Sequence, residues 1–62
     1  MPSMLSVPAF LAEHSLSRSL FYRLIKAGRG PRLAKVGRRT LISAEAAAEW
    51  RERMERETNS AR

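Results

Sequence analysis

The chain has 62 residues, of which 12 are Lys or Arg and 6 are Asp or Glu, so its formal net charge is +6 at pH 7. A chain of this length holds one domain with a small core. It contains no cysteine and one histidine, His14, which excludes a disulfide or a thiolate metal site within it. We therefore expect neither a metal nor another cofactor.

The positive charge is concentrated in the first two-thirds of the sequence. Residues 1–44 hold eight basic residues against one acidic residue, a net +7, whereas residues 45–62 hold four basic and five acidic residues, a net −1. Positive charge segregated in this way is typical of proteins that bind nucleic acid. The alternative is a surface whose charge serves only solubility.

Two observations bear on the compartment. No segment approaches the roughly 20 apolar residues that span a bilayer, and no basic region followed by an apolar run marks a signal peptide. We therefore expect a cytoplasmic protein that does not bind membranes and that associates with the nucleoid when bound to DNA.

The first predicted helix begins after Ser6, which is a suitable N-cap. Pro8 falls in its opening turn, where the missing N–H costs little. Phe10 lies on its apolar face, and the helix is expected to end near His14. Leu16 then fills the turn, so Phe10 and Leu16 are predicted core residues.

The second predicted helix runs from about Arg18 to Ala27. Ser17 is its N-cap, worth about 1 kcal/mol relative to alanine, and Gly28 suits the positive φ at which many helices end. Its apolar residues share one face, and three of them are predicted to lie in the core: Phe21, Leu24 and Ile25. Another face carries polar, basic and aromatic side chains.

A short hairpin is predicted next, with strands at 33–36 and 40–42 and the tip at 37–39. Gly37 allows the tight turn. A two-stranded ribbon is unstable alone and must rest on the helices. Val36 and Ile42 are therefore predicted to lie in the core.

The last predicted helix begins after Ser43, a further N-cap. Trp50 is the largest apolar side chain in the chain and is expected to anchor the core. We expect a single domain over residues 1–57, followed by a frayed tail at 58–62.

Two short helices joined by a tight turn predict a helix-turn-helix protein, whose second helix enters the major groove by its N-terminal end. Because an arginine can hold a guanine edge through two hydrogen bonds, Arg18 and Arg23 are candidates for base contact. Cations on a projecting tip suit phosphates or a narrow minor groove. The DNA-contacting residues predicted on the helix are Ser17, Arg18, Ser19, Tyr22, Arg23 and Lys26. Those predicted on the hairpin are Lys35, Arg38 and Arg39.

Other interpretations of the same residues remain open. Ser17 can be a helix cap only, Tyr22 a half-buried core ring, and the hairpin charges solvated. RNA binding is less favoured, because RNA modules display several stacking aromatics. An antitoxin-like module using the charged last helix is a further alternative. Ser17 and Ser19 lack an Asp–His pair, so we expect no enzyme activity.

The ordered set of these residues resembles the small excisionase and AlpA-like regulators of phages and mobile elements. The most specific part is Ser17-Arg18-Ser19 followed by the run at 21–28, FYRLIKAG. Pro31, the basic run KVGRR at 35–39, and the segment from Ser43 to Trp50 follow in the same order. The resemblance covers residues 6–53, and Ser15 stands where the family has a glycine in the turn.

The resemblance implies a fold class that is mainly α with a small β-hairpin, namely a MerR-like winged helix-turn-helix of three helices plus a wing. It implies an excisionase, a recombination directionality factor that binds double-stranded DNA, bends it and assists an integrase. The alternative is a transcriptional regulator with the same DNA-binding mode. A single small module buries only roughly 600–1,000 Å² on DNA. We therefore expect a monomer in solution that binds DNA cooperatively in several copies.

Overall fold

Three helices and a small antiparallel sheet make up residues 3–60, the part of the chain that this computed structural model describes. In chain order the elements are β1 (Met4–Ser6), α1 (Val7–His14), α2 (Arg18–Lys26), β2 (Ala34–Val36), β3 (Arg39–Ser43) and α3 (Ala44–Ser60). The strand order in the sheet is β1-β3-β2. The fold is therefore mostly helical, with α1 and α3 packed against β3.

A serine side chain begins each helix, as the sequence predicts. The Oγ atoms of Ser6, Ser17 and Ser43 accept hydrogen bonds at 3.3, 3.1 and 3.0 Å from the backbone N–H three residues further on. These bonds satisfy donors that the first turn of a helix leaves without a partner. Ser6 and Ser43 are also the last residues of β1 and β3, so each of these strands passes directly into a helix.

The ends of the first two helices are also close to those predicted. The last residue of α1 is His14, and α2 ends at Lys26, one residue earlier than predicted. Gly28 has a φ of 75°, as predicted for a helix end. The residue after α1 is Ser15, which has a left-handed φ of 55° although it is not glycine.

Phe10 lies at the centre of the core and joins the three helices. Its ring is fully buried, with ring centroids 5.7 Å from Phe21 on α2 and 5.5 Å from Trp50 on α3. The buried core residues are Val7, Phe10, Leu11, Phe21, Ile42, Ala46, Ala47 and Trp50. The predicted core residues Leu16, Leu24 and Ile25 are partly buried and pack against this cluster.

Val36 is not a core residue, and that prediction is wrong: 54% of the residue is exposed. The hairpin register explains why. Val36 lies opposite Arg39, whereas Lys35 lies opposite Thr40. Because side chains alternate between the two faces of a strand, Thr40 and Lys35 share the face of the buried Ile42. Val36 therefore lies on the other face of the sheet.

The sheet has a third strand that the sequence analysis did not predict. β1 pairs with β3, with Leu5 opposite Ile42, and the N–H of Ala44 donates to the carbonyl of Ser3 at 2.9 Å. Leu5 packs against the core. β1 thus completes a sheet from a hairpin that would be only marginally stable alone.

The tip of the hairpin is shorter than predicted. Arg39 is already in β3, so the turn consists of Gly37 and Arg38. Gly37 has a φ of 61°, and Arg38 is not among the residues with positive φ. A glycine with positive φ at the first position of a two-residue turn matches type II′, which follows the twist of a hairpin.

The last helix extends through Ser60 and so includes residues 58–60 of the segment expected to fray. Residues 61 and 62 of that segment lie outside the described residues. In the described part of the chain, no helix is long and apolar enough to cross a membrane.

Candidate nucleic-acid interface

The face of α2 opposite the core is polar and basic. Ser19, Arg23 and Lys26 are spaced i, i+4 and i+7, so they form one row along the helix. All three residues are exposed. Phe21, on the opposite side of the helix, is fully buried. Burial of Phe21 therefore fixes which way this row points. We call the row and its two flanking residues, Leu20 and Tyr22, the α2 outer face.

Tyr22 flanks the row on one side and is 48% exposed, so it is not a core ring. Its ring contacts that of Phe21 edge-on, with centroids 5.1 Å apart and an interplanar angle of 79°. Edge-to-face contacts of this kind are favourable. The contact with a buried ring holds Tyr22 in place while its other side remains open.

The N-terminal end of α2 is also accessible. Ser17, Arg18 and Ser19 are all exposed. The hydroxyl of Ser17 accepts the N–H of Leu20, so its side chain does act as a cap. Helix geometry gives the N–H groups of Arg18 and Ser19 no acceptor within the helix. This end therefore offers backbone donors beside the Arg18 guanidinium.

The ion pairs of the described residues all involve glutamates of α3. Glu49 lies 3.4 Å from Arg53 Nε, an ion-pair contact without hydrogen-bond geometry, and Glu52 lies 3.8 Å from Arg56. Glu57 pairs with Arg29. Within residues 3–60, none of these pairs includes a predicted DNA-contacting cation, on α2 or on the hairpin. Among the described residues, the cations of α2 therefore form no contact ion pair with the glutamates of α3.

The hairpin brings its predicted cations to one end, but not to one face. Lys35, Arg38 and Arg39 are all exposed. Lys35 lies on the Ile42 face of the ribbon and Arg39 on the other, with Arg38 in the turn between them. The three charges therefore surround the end of the ribbon.

The loop between α2 and the hairpin is anchored to α3, which the sequence analysis did not predict. The indole Nε1 of Trp50 donates to the carbonyl of Arg29 at 2.9 Å, and Arg53 Nη2 donates to the carbonyl of Gly30 at 3.0 Å. These bonds fix the chain between α2 and β2. The one available signal was Trp50 itself, since a buried indole N–H needs an acceptor.

His14 has a structural role. Its ring stacks on Phe10 with centroids 4.1 Å apart, and its Nδ1 lies 2.8 Å from the carbonyl of Phe10. A carbonyl only accepts, so Nδ1 carries a proton, and Nε2 can accept from Arg51 Nη1 at 3.1 Å. These contacts hold the His14 ring against Phe10 at the C-terminal end of α1.

Residues 3–60 contain no cluster of three His, Cys, Asp or Glu side chains placed to hold a metal ion. Comparisons of the chain with protein-family models, with curated proteins and with solved structures found no match.

Proposed function

We propose that this protein binds double-stranded DNA in a sequence-specific manner, as a winged helix-turn-helix module. In this proposal α1 and α2 form the helix-turn-helix, α2 is the recognition helix, and the β2–β3 hairpin is the wing. The observation that carries the proposal is the α2 outer face. It presents Arg23 and Lys26 opposite the buried Phe21, and no α3 glutamate pairs with either cation within residues 3–60.

The residues of the α2 outer face have separate roles in this proposal. Arg23 lies in the middle of the exposed row and holds a guanine edge through two hydrogen bonds. Lys26 is further along the helix and binds phosphate, which positions the protein without reading sequence. The N-terminal turn, with Arg18 and Ser19, lies where a helix N-terminus attracts phosphate or meets base edges.

The hairpin makes the second set of contacts. Its three cations surround the turn at Gly37, so at least one faces the DNA backbone whichever side of the ribbon approaches it. Such contacts bind all sequences alike and weaken steeply with salt. The hydrogen bonds from Trp50 and Arg53 hold Arg29 and Gly30, at the start of the loop that leads from α2 to the hairpin, against α3.

We further propose that the protein is an excisionase of a phage or mobile element, which bends DNA beside an integrase. The support is the ordered resemblance of residues 6–53 to that family. A transcriptional regulator would use the same contacts. An excision assay with the integrase of the same element separates the two roles, since only an excisionase increases excision.

Selection of bound sequences from a random duplex pool tests DNA binding directly. We expect enrichment of one short motif, and retention of the selected duplex against an excess of single-stranded RNA. Failure to enrich a motif, or preferential displacement by the RNA, would contradict the proposal. Persistent capture of a protein in high salt by a chain that shifts no duplex would favour the antitoxin-like alternative.

A further inference from the structure

Leu20 is an exposed leucine on the α2 outer face. It is 37% exposed and is not among the partly buried hydrophobic residues that pack against the core cluster. At 100° per residue it flanks the row of Ser19, Arg23 and Lys26 on the side away from Tyr22. An apolar side chain therefore borders the cations that are proposed to meet DNA.

The position of Leu20 is fixed by the helix cap. Its N–H donates to Ser17 Oγ at 3.1 Å, which places Leu20 in the first turn of α2. Leu20 and Arg23 are three residues apart, so their Cβ atoms are about 5–6 Å from each other on the helix surface. Neighbouring bases along a strand are about 3.4 Å apart. A helix that brings Arg23 to one base therefore brings Leu20 within reach of an adjacent one.

Only one base presents an apolar group in the major groove, namely thymine, through its C5-methyl. We propose that Leu20 is a specificity-determining residue that packs on the methyl group of a thymine next to the base held by Arg23. This inference rests on the proposed DNA binding and adds to it a preference for one base. Because the Leu20 side chain is already exposed, packing it on a thymine methyl group requires no change in the fold.

The test removes the methyl group and nothing else. In the selected duplex, each thymine is replaced in turn by deoxyuridine, and the affinity of the parent protein is measured by fluorescence anisotropy. We expect one position at which the loss of the methyl weakens binding about fourfold, the effect of roughly one buried methyl group. This scan needs no protein variant, so it does not depend on how any variant folds.

Two variants then assign the effect to Leu20. Leu20→Ala is expected to bind the thymine duplex about as weakly as the parent binds the deoxyuridine duplex, and to make no distinction between the two. The matched control is Leu33→Ala, since Leu33 is also 37% exposed but lies in the loop before β2. That variant is expected to retain the full thymine preference.

The outcomes separate this inference from the proposed function. If the parent binds no duplex selectively, the proposed function fails, and this inference fails with it. If the parent binds its site but no thymine methyl affects affinity, only the role of Leu20 is overturned. The same holds if Leu20→Ala retains the parent's preference for thymine over deoxyuridine.

Discussion

Replacement of Arg38 in the hairpin turn should change how DNA binding depends on salt. Each phosphate contact contributes about −0.9 to the slope of log affinity against log salt concentration. With Lys26, Arg38 and whichever of Lys35 and Arg39 lies on the DNA side as the phosphate-binding cations, the slope is about −2.7. The corresponding loss of affinity between 50 and 200 mM salt is roughly fortyfold. Arg38→Ala should reduce the slope to about −1.8.

The control for this experiment is Arg56→Ala. It removes the same charge, but Arg56 lies on α3 beside Glu52, with its side chain 67% exposed. Dissociation constants are measured by fluorescence anisotropy at several salt concentrations on one non-specific duplex. We expect the Arg56→Ala slope to equal that of the parent. Equal slopes for the parent and Arg38→Ala would refute the reasoning, as would the same reduction in both variants, since net charge alone would then explain it.

Three predictions concern the fold. Ser15→Gly should raise stability by about 0.5–1 kcal/mol, because glycine adopts the left-handed φ of 55° without a Cβ penalty; a thermal melt in which Ser15→Ala gains as much would contradict this. Trp50→Phe should cost at least about 1–3 kcal/mol, because the carbonyl of Arg29 loses its donor and the smaller ring leaves buried space unfilled; an unchanged urea midpoint would contradict this. Val36→Ala should change stability by less than about 0.5 kcal/mol, whereas Ile42→Ala should cost about 2–5 kcal/mol; equal effects in urea denaturation would contradict the observed register.

Much of the helical structure could be predicted from local sequence. Ser6, Ser17 and Ser43 predict the three helix starts, because a cap acts on the N–H three residues away and needs no distant partner. The faces of α2 follow from its 3.6-residue period, which places Phe21 inward and Arg23 outward. These features depend only on residues close together in the chain.

The features that the sequence analysis predicted wrongly or missed depend on residues that are far apart in the chain. β1 is three residues long and is a strand only because β3 supplies its partners. The prediction for Val36 is wrong because the register of a hairpin is not visible in its sequence, and a change of one residue moves a side chain to the other face. The Trp50–Arg29 bond joins residues 21 positions apart. The Arg29–Glu57 pair likewise joins residues 28 positions apart. The Glu49–Arg53 and Glu52–Arg56 pairs, by contrast, are i,i+4 contacts within α3 and follow from helix periodicity alone.

The central claim is that Arg23 reads a base from the outer face of α2. The most direct measurement is the ratio of dissociation constants for a scrambled duplex and for the selected site, taken for the parent and for Arg23→Ala. We expect the variant to lose about 1–3 kcal/mol on the selected site, roughly 5- to 150-fold in affinity, with little change on the scrambled duplex. An unchanged ratio in Arg23→Ala would contradict the claim.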